Sequence, residues 1–351
     1  MKQQHLSIDE SMIPYNGGHG AKQFIRGKPI RFGYKMWVLA TPLGYCVQFE
    51  PYQGANGRQA NADEYPGIGM GGAVVVDLIS ELEEEEPEDC YHLTFDNLFT
   101  SLKLVDVLTS KKIGCTGTVR ANRTEQCPLK SINEMKNTKR GTYDFQQAEN
   151  TGVIVVRWND NNIVNAVSNA AGVNPLQSAS RCSKAEKKRV KISQPFLIKH
   201  YNKTMGGCDR MDQNIAKYRV SIRSKKWWWA IFSFCLDLCV QQTWHMYRAT
   251  PASEYIPMDL LAVRRAIADI YLKRSHAAAR LELPNHPVGR VAKLDRRVPP
   301  AIRCDGLDHL VEHISKQRRC AQCGKKVKQI CLKCNVPLHR KYCFVAFHTP
   351  V

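Results

Sequence analysis

The sequence predicts an α/β protein: a mixed sheet with helices on its faces, a β-rich insertion, and a small C-terminal domain rich in cysteine and histidine. Three observations carry that prediction. Apolar runs of strand type lead the chain, and helices alternate with strands after them. From 124 to 194 the alternation gives way to a hairpin pattern of its own. Five of the fourteen cysteines fall between Cys320 and Cys343, four of them in two pairs with two residues between the partners. The 351 residues allow two domains, and 43% hydrophobic residues suffice for a sizeable core. The expected organisation is a core built from 1–123 and 195–275, an insertion at 124–194, a linker at 276–304 and a metal-binding domain at 305–351.

In chain order, Leu6–Asp9 reads as a very short strand that reaches an acid at once. Phe32–Ala40 and Tyr45–Tyr52 are longer runs, and Pro42 and Gly44 make their junction a hairpin turn. A glycine-rich loop precedes a helical pattern at Ala73–Leu82, and the acidic block Glu81–Asp89 reads as a solvated connector. Tyr91–Ser101 alternates apolar and polar residues as far as Asp96. Thr100 or Ser101 then caps a helix whose apolar face is Leu102, Val105 and Leu108, ending near Lys112. Ile113–Val119 is the next strand. Val153–Trp158 and Ile163–Ser168 flank the turn Asn159–Asn162. Arg181, Lys184, Lys187, Lys188, Arg189 and Lys191 lie in a weakly apolar stretch that reads as an exposed loop. Pro195–His200 reads as a short strand, followed from Asp209 by one long helix that runs to Arg248 and is ended by Pro251.

Composition narrows the function classes. The net charge is +19 and the pI about 9.4, an excess of base whose usual partner is a polyanion, nucleic acid first. The plain alternative is a basic protein with no such partner. The first residues are polar, with no apolar leader. The most apolar window, Trp227–Val240, is too short for a bilayer and is broken by Asp237, so a buried amphipathic helix accounts for it. The scatter of the other cysteines fits a reducing compartment rather than a disulfide framework.

The order of elements resembles the ribonuclease-H-like fold of polynucleotidyl transferases. In that fold one acid lies on the first strand, one just after the fourth and one by the late helix; Asp9, Asp96 and Asp209 hold those places. Taken alone, Asp96 reads first as an ordinary capping or surface acid. Three convergent aspartates, however, suit a pair of Mg²⁺ (or Mn²⁺) ions roughly 4 Å apart, which activate a nucleophile and balance charge on phosphate. Asp212, one turn beyond Asp209, reads as a fourth ligand, an orienter or a helix-terminal acid.

Ser7–Tyr15, Lys22–Pro29, Phe32–Lys35, Phe95–Ser101, Thr116–Arg123 and Tyr201–Gln213 together resemble the piggyBac transposase family, over essentially the whole chain. The resemblance implies a catalytic core that makes DNA hairpin ends and inserts preferentially at TTAA. It implies Asp9, Asp96 and Asp209 as catalytic acids, with Asp212 beside the third. Arg120 and Arg123 match the basic motif after the second acid, where a guanidinium offers phosphate bidentate donors. Many members carry an arginine where this chain reads Gly17-Gly18-His19. Members also have long N-terminal segments before the first acid, and the chain reads as an N-terminally truncated form.

After Asp212, Lys217, Arg219, Arg223, Lys225 and Lys226 read as phosphate-tracking bases. Trp227, Trp228 and Trp229 read as core packing in preference to base stacking. The function of the insertion is not readable from its residues. In the tail, Cys320, Cys323, Cys331, Cys334, His339, Cys343 and His348, with His309 upstream, make eight ligands, enough for two tetrahedral Zn²⁺ in an interleaved arrangement. His313 competes with His309. The tail resembles the family's cysteine-rich domain, which recognises transposon-end DNA, although His339 stands where relatives often have cysteine. The expected partners are double-stranded DNA and, with the oligomeric state left open, a second copy of the chain; the expected location is nuclear. Two other readings stand beside a transposase: a DNA-binding protein without catalysis, and a RING-like interaction or ubiquitin-ligase module, whose ligand order fits less well.

Overall fold

The structure, a computed structural model, describes residues 4–54, 64–85, 90–124, 127–183, 187–222, 224–277 and 298–349, apart from the side chains of 84–85 and 273–277. Lys184, Arg223, the end of the acidic block (86–89) and most of the expected linker (278–297) lie outside the described residues. The chain forms two compact units, Met1–Leu260 and Leu261–Val351.

The first unit carries strands β1 (Gln4–Pro14), β2 (Gln23–Phe24), β3 (Phe32–Ala40) and β4 (Cys46–Pro51). Helix α1 (Gly69–Glu85), β5 (Tyr91–Phe95), α2 (Leu102–Ser110), β6 (Gly114–Thr118) and the short α3 (Ile132–Lys136) follow. Then come β7 (Tyr143–Gln147), β8 (Ile154–Asn159), β9 (Ile163–Ser168), β10 (Gln177–Ser183) and β11 (Lys188–Gln194). Helices α4 (Phe196–Thr204), α5 (Gly207–Lys217), α6 (Trp229–Arg248) and α7 (Ala252–Tyr255) close the unit. A nine-stranded mixed sheet runs in the order β2-β3-β1-β5-β6-β9-β8-β7, with β4 on β3. β1, β5 and β6 pair in parallel and the other neighbours are antiparallel. Three strands of the expected insertion, β7, β8 and β9, therefore extend the main sheet beyond β6, while β10 and β11 form a two-stranded sheet of their own.

Side-chain alternation assigns the two faces of β1. Leu6 and Ile8 join α1, α2, Leu93 and Phe95 in one buried cluster. Ile13 joins Met36 and Val38 with Cys208, Met211 and Ile215 of α5 and Phe234 and Leu238 of α6 on the other. Helices thus cover both faces of a mixed sheet, as the sequence predicts.

Four expectations need correction. β1 does not stop at Asp9; it runs on to Pro14 because β3 pairs with it throughout, from Ser7↔Ala40 to Pro14↔Gly33. Pro195–His200 is not a strand: Pro195 caps α4, whose buried residues Leu197, Ile198 and Thr204 follow helical spacing. The long helix is two helices, because Asp237 of α6 accepts the Val220 amide at 2.9 Å and ties down the intervening connection. The basic stretch after Arg181 is no open loop, since β10 and β11 pair as an antiparallel hairpin.

The second unit holds α8 (Leu260–Ala277), α9 (Pro300–Arg303), β12 (Val311–Arg319), β13 (Lys326–Cys331), β14 (Val336–Pro337) and α10 (Tyr342–His348). Its sheet has the order β12-β13-β14. The small core beneath is Cys320, Val327, Cys331, Cys334, Val336, Leu338 and Phe347.

Candidate carboxylate site and cysteine–histidine centres

The carboxylate site follows from the pairing of β1 with β5. Ile8 and Phe95 are Cα partners in that parallel ladder, so Asp9 and Asp96 occupy the next positions on adjacent strands. Alternation turns Asp9, with Ser7 and Ser11, towards α5: Ser7 Oγ meets Cys208 Sγ at 3.8 Å, and the Ser11 hydroxyl donates to Asp212 Oδ1 at 2.6 Å. Asp96 shares that face with Thr94, whose hydroxyl meets that of Thr204 in α4 at 2.8 Å. The loop after Asp96 is self-braced. Its Oδ1 accepts the Leu98 amide at 2.7 Å, its carbonyl accepts the Thr100 hydroxyl at 2.6 Å, and Ser101 caps α2.

Helix α5 brings the other two acids. It seats closely on β1 because Gly207 presents no side chain: a Cβ there would lie 2.3 Å from the Thr41 carbonyl oxygen and 2.4 Å from Ser7 Oγ. Asp209 follows in the first turn and is exposed, while Asp212 lies deeper against Ser11. The four sequence-predicted acids therefore come to one face and one end of the sheet. They do not converge as closely as the cysteine–histidine sets described below: among the described residues, no three carboxylates form a set with ligand oxygens within 4.8 Å of one another.

Burial makes three of these acids, Asp9, Asp96 and Asp212, costly to ionise. It raises Asp9 well above the usual carboxylate range, with Glu10 adding to the effect. Asp96 is raised by burial, against the Leu98 hydrogen bond. Asp212 is pushed up to about 6 by burial, against the Ser11 hydrogen bond and the charge of Arg219. Lys28, which sits 3.5 Å from Glu10, is pushed down by burial, but Asp9, Glu10 and Asp209 outweigh that and hold it above its ordinary value. An all-oxygen set that is expensive to ionise and draws in an ammonium fits a hard divalent cation. Lys28 and Glu10 had no assigned role in the sequence reading. The available signal was that both lie in the quoted motifs, Glu10 next to an acid and Lys28 before a proline.

The predicted bases divide. Arg120 Nε donates to Asn97 Oδ1 at 3.0 Å and its side chain is exposed. Arg123 is half-buried and donates to the carbonyls of Asn97, Leu98 and Thr100 at 3.1–3.4 Å, so it braces the loop after Asp96. Lys217 ends α5, and Arg219, Lys225 and Lys226 follow it; the last three line a groove of about 700 Å³ with Tyr15 and Trp229. Core packing fails for two of the three tryptophans. Trp227 is 45% and Trp228 44% exposed, and Trp227 stacks on His19 with centroids 4.4 Å apart.

The tail brings all eight predicted ligands into two interleaved sets, Cys320, Cys323, His339 and Cys343, and His309, Cys331, Cys334 and His348. In each, the ligand atoms lie within 4.8 Å of one another. Burial and the Cys331 thiol push Cys334 up, and burial with Cys323 and Cys320 does the same to Cys343, crowding that a thiophilic cation relieves. His309 Nδ1 faces Cys331 Sγ at 3.4 Å while its Nε2 meets Asp305 Oδ1 at 2.9 Å. That carboxylate fixes the ring as an outer partner of a metal ligand does. His313 lies exposed on β12 and belongs to neither set. Asp305 also went unassigned; an acid four residues before a ligand histidine was the signal.

The family model described as Transposase IS4, a class of transposases, matches residues 2–244, which include the strands and helices that carry these acids. The chain belongs to the piggyBac transposase family. It is 43% identical to human PiggyBac transposable element-derived protein 3 over 98% of its own length and 55% of that protein's. With human PiggyBac transposable element-derived protein 2 it shares 39% identity over 99% of this chain and 55% of the relative. The chain thus spans about half the length of these curated relatives. Its fold is that of a piggyBac transposase solved by cryo-EM as a synaptic complex with hairpin DNA, with a TM-score of 0.60 at 21% identity, covering 96% of this chain and 67% of that one. Among the described residues no helix is long and apolar enough to cross a membrane.

Proposed function

We propose that this chain is a ribonuclease-H-like DNA transposase core that cleaves and transfers phosphodiester strands, acting on double-stranded transposon ends and TTAA targets in the nucleus. The observation that carries the reading is the meeting of Asp9 and Asp96 on adjacent parallel strands beneath a helix bearing Asp209 and Asp212. Asp9, Asp96 and Asp209 are the residues that would hold Mg²⁺ or Mn²⁺. When bound, the ions would supply charge balance on the phosphate and a more acidic water. Ser11 orients Asp212, Lys28 offsets negative charge at the rim, and Arg120 is free to turn from Asn97 to a phosphate. Lys217, Arg219, Arg223, Lys225 and Lys226 track the DNA backbone, and exposed Trp227 and Trp228 offer faces to unpaired bases.

The tail, loaded with two Zn²⁺, binds the transposon end. Exposed Lys316, Arg318 and Arg319 on β12 supply phosphate contacts rather than the apolar groove a RING-like partner needs. Two such chains would pair to hold two ends. The test is nicking of transposon-end duplex by purified protein in Mg²⁺ or Mn²⁺. Wild type nicks, and Asp96→Asn loses at least about 10³-fold in rate. Binding without nicking would leave the DNA-binding reading in place of the catalytic one.

A further inference from the structure

A third group of metal-type ligands lies outside both sites. His5 on β1, His92 on β5 and His200 on α4 bring one ring nitrogen each within 4.8 Å of the other two. His5 and His92 are Cα partners in the parallel ladder, and the three ring centroids lie 4.5–5.4 Å apart. Buried polar atoms are ordinarily hydrogen-bonded, yet Nδ1 of His5 and Nδ1 of His200 are buried with no such partner. Two unsatisfied nitrogens in one cluster point to a missing ligand with empty orbitals rather than to ordinary core packing.

The third ring is braced. His92 Nε2 lies 3.0 Å from the Thr116 hydroxyl, which lies 2.9 Å from Ser168 Oγ, and that hydroxyl donates to the Cys115 carbonyl at 2.7 Å. Such outer hydrogen bonds fix the tautomer and direction of a metal-ligating histidine and leave its other nitrogen for the ion. Burial, with His200 and His5 beside it, lowers His92 to about 3, and burial also lowers His5 and His200. All three are therefore neutral near pH 7, the form that carries a lone pair.

We propose that His5, His92 and His200 form a separate site for a late first-row divalent ion, zinc by donor type, with three imidazole nitrogens and one open position. Asp9 and Asp96 stand four positions further along the same strands, about 13 Å away at the rise of a strand. The set contains no carboxylate, so magnesium does not compete for it. Its ion clamps the beginnings of β1 and β5, the strands that lead to Asp9 and Asp96, to α4, the helix that leads into α5. The site rests on none of the catalytic roles given above and stands or falls apart from them.

The experiment uses the full chain, stripped of metal, reloaded with Zn²⁺ in excess Mg²⁺ so that the carboxylates stay occupied, and dialysed. Elemental analysis should find three zinc ions per chain in the wild type and two in His200→Asn. Loading with Co²⁺ identifies the ligands independently. The tail sets give thiolate-to-cobalt charge transfer, while the third equivalent adds only ligand-field bands, and His5→Gln removes those alone. His5 is half-buried, so the second variant decides if circular dichroism finds His200→Asn misfolded. A wild type without the thiolate-free equivalent, or one in which that equivalent survives His5→Gln, overturns the site.

Discussion

The carboxylate end of the large sheet and the cysteine–histidine tail are built by opposite strategies. At the sheet, buried apolar clusters on both faces hold β1, β5 and α5 in place, so the acids are presented by a scaffold that stands without any ion. In the tail, three of the seven core residues, Cys320, Cys331 and Cys334, are themselves candidate ligands. Remove the metal and little apolar material is left to bury. Loosely gathered acids on a firm scaffold suit a metal that must share its coordination with a substrate, whereas closed tetrads suit a metal that is part of the fold.

The largest effect to expect separates the two regions directly. Stripping the full chain with a zinc chelator, or making Cys331→Ser, should unfold the tail, since structural zinc contributes on the order of 10 kcal/mol to folding. Limited proteolysis should then cut within 309–348 while the Met1–Leu260 unit survives. A tail that resists protease without metal would remove the contrast. A smaller effect concerns the sheet alone. Asp212 ionises at about 6 in the folded protein, above its ordinary 3.8, so the native state holds the proton more tightly than the unfolded chain. The stability contributed by the buried Asp212 proton should therefore be fully present below pH 4 and be lost as pH rises through 6, by at most about 3 kcal/mol. Asp212→Asn should flatten that slope in chemical denaturation, and bound Mg²⁺ should flatten it too. The smallest effect distinguishes two arginines. Arg123→Ala, which frees three carbonyls, should cost about 1–2 kcal/mol of stability. Arg120→Ala should leave the melting temperature unchanged and lower the salt slope of DNA binding by about 1.

The tail was the most legible part of the sequence, because metal ligation needs particular residue types and their spacing survives folding. Even the interleaving of two sets could be read from the eight positions, although the choice of His309 over His313 waited for Asp305. The acids were legible through the order of the elements that carry them and the surrounding motifs. What escaped was set by tertiary pairing. The polar run Asp9-Glu10-Ser11 looks like the end of a strand, yet β3 continues alongside it. Pro195–His200 reads as extended from its own residues alone, but the hydroxyls of Thr94 and Thr204 join that segment to β5 as a helix. Trp227 reads as core until His19 proves to be its partner at the surface. Lys28 acquires meaning only once Asp9 and Asp209, distant in sequence, stand around it.

Gly207 gives the carboxylate site its depth by what it lacks. A methyl group there would meet backbone carbonyl on one side and a buried hydroxyl on the other, neither of which can yield, so the whole helix would be levered outward. Asp209 and Asp212 would retreat with it, and the Ser11 latch would open. The grouping of the carboxylates is thus gauged by a hydrogen atom: the chain could keep every acid in its sequence and still lose their alignment by gaining one carbon.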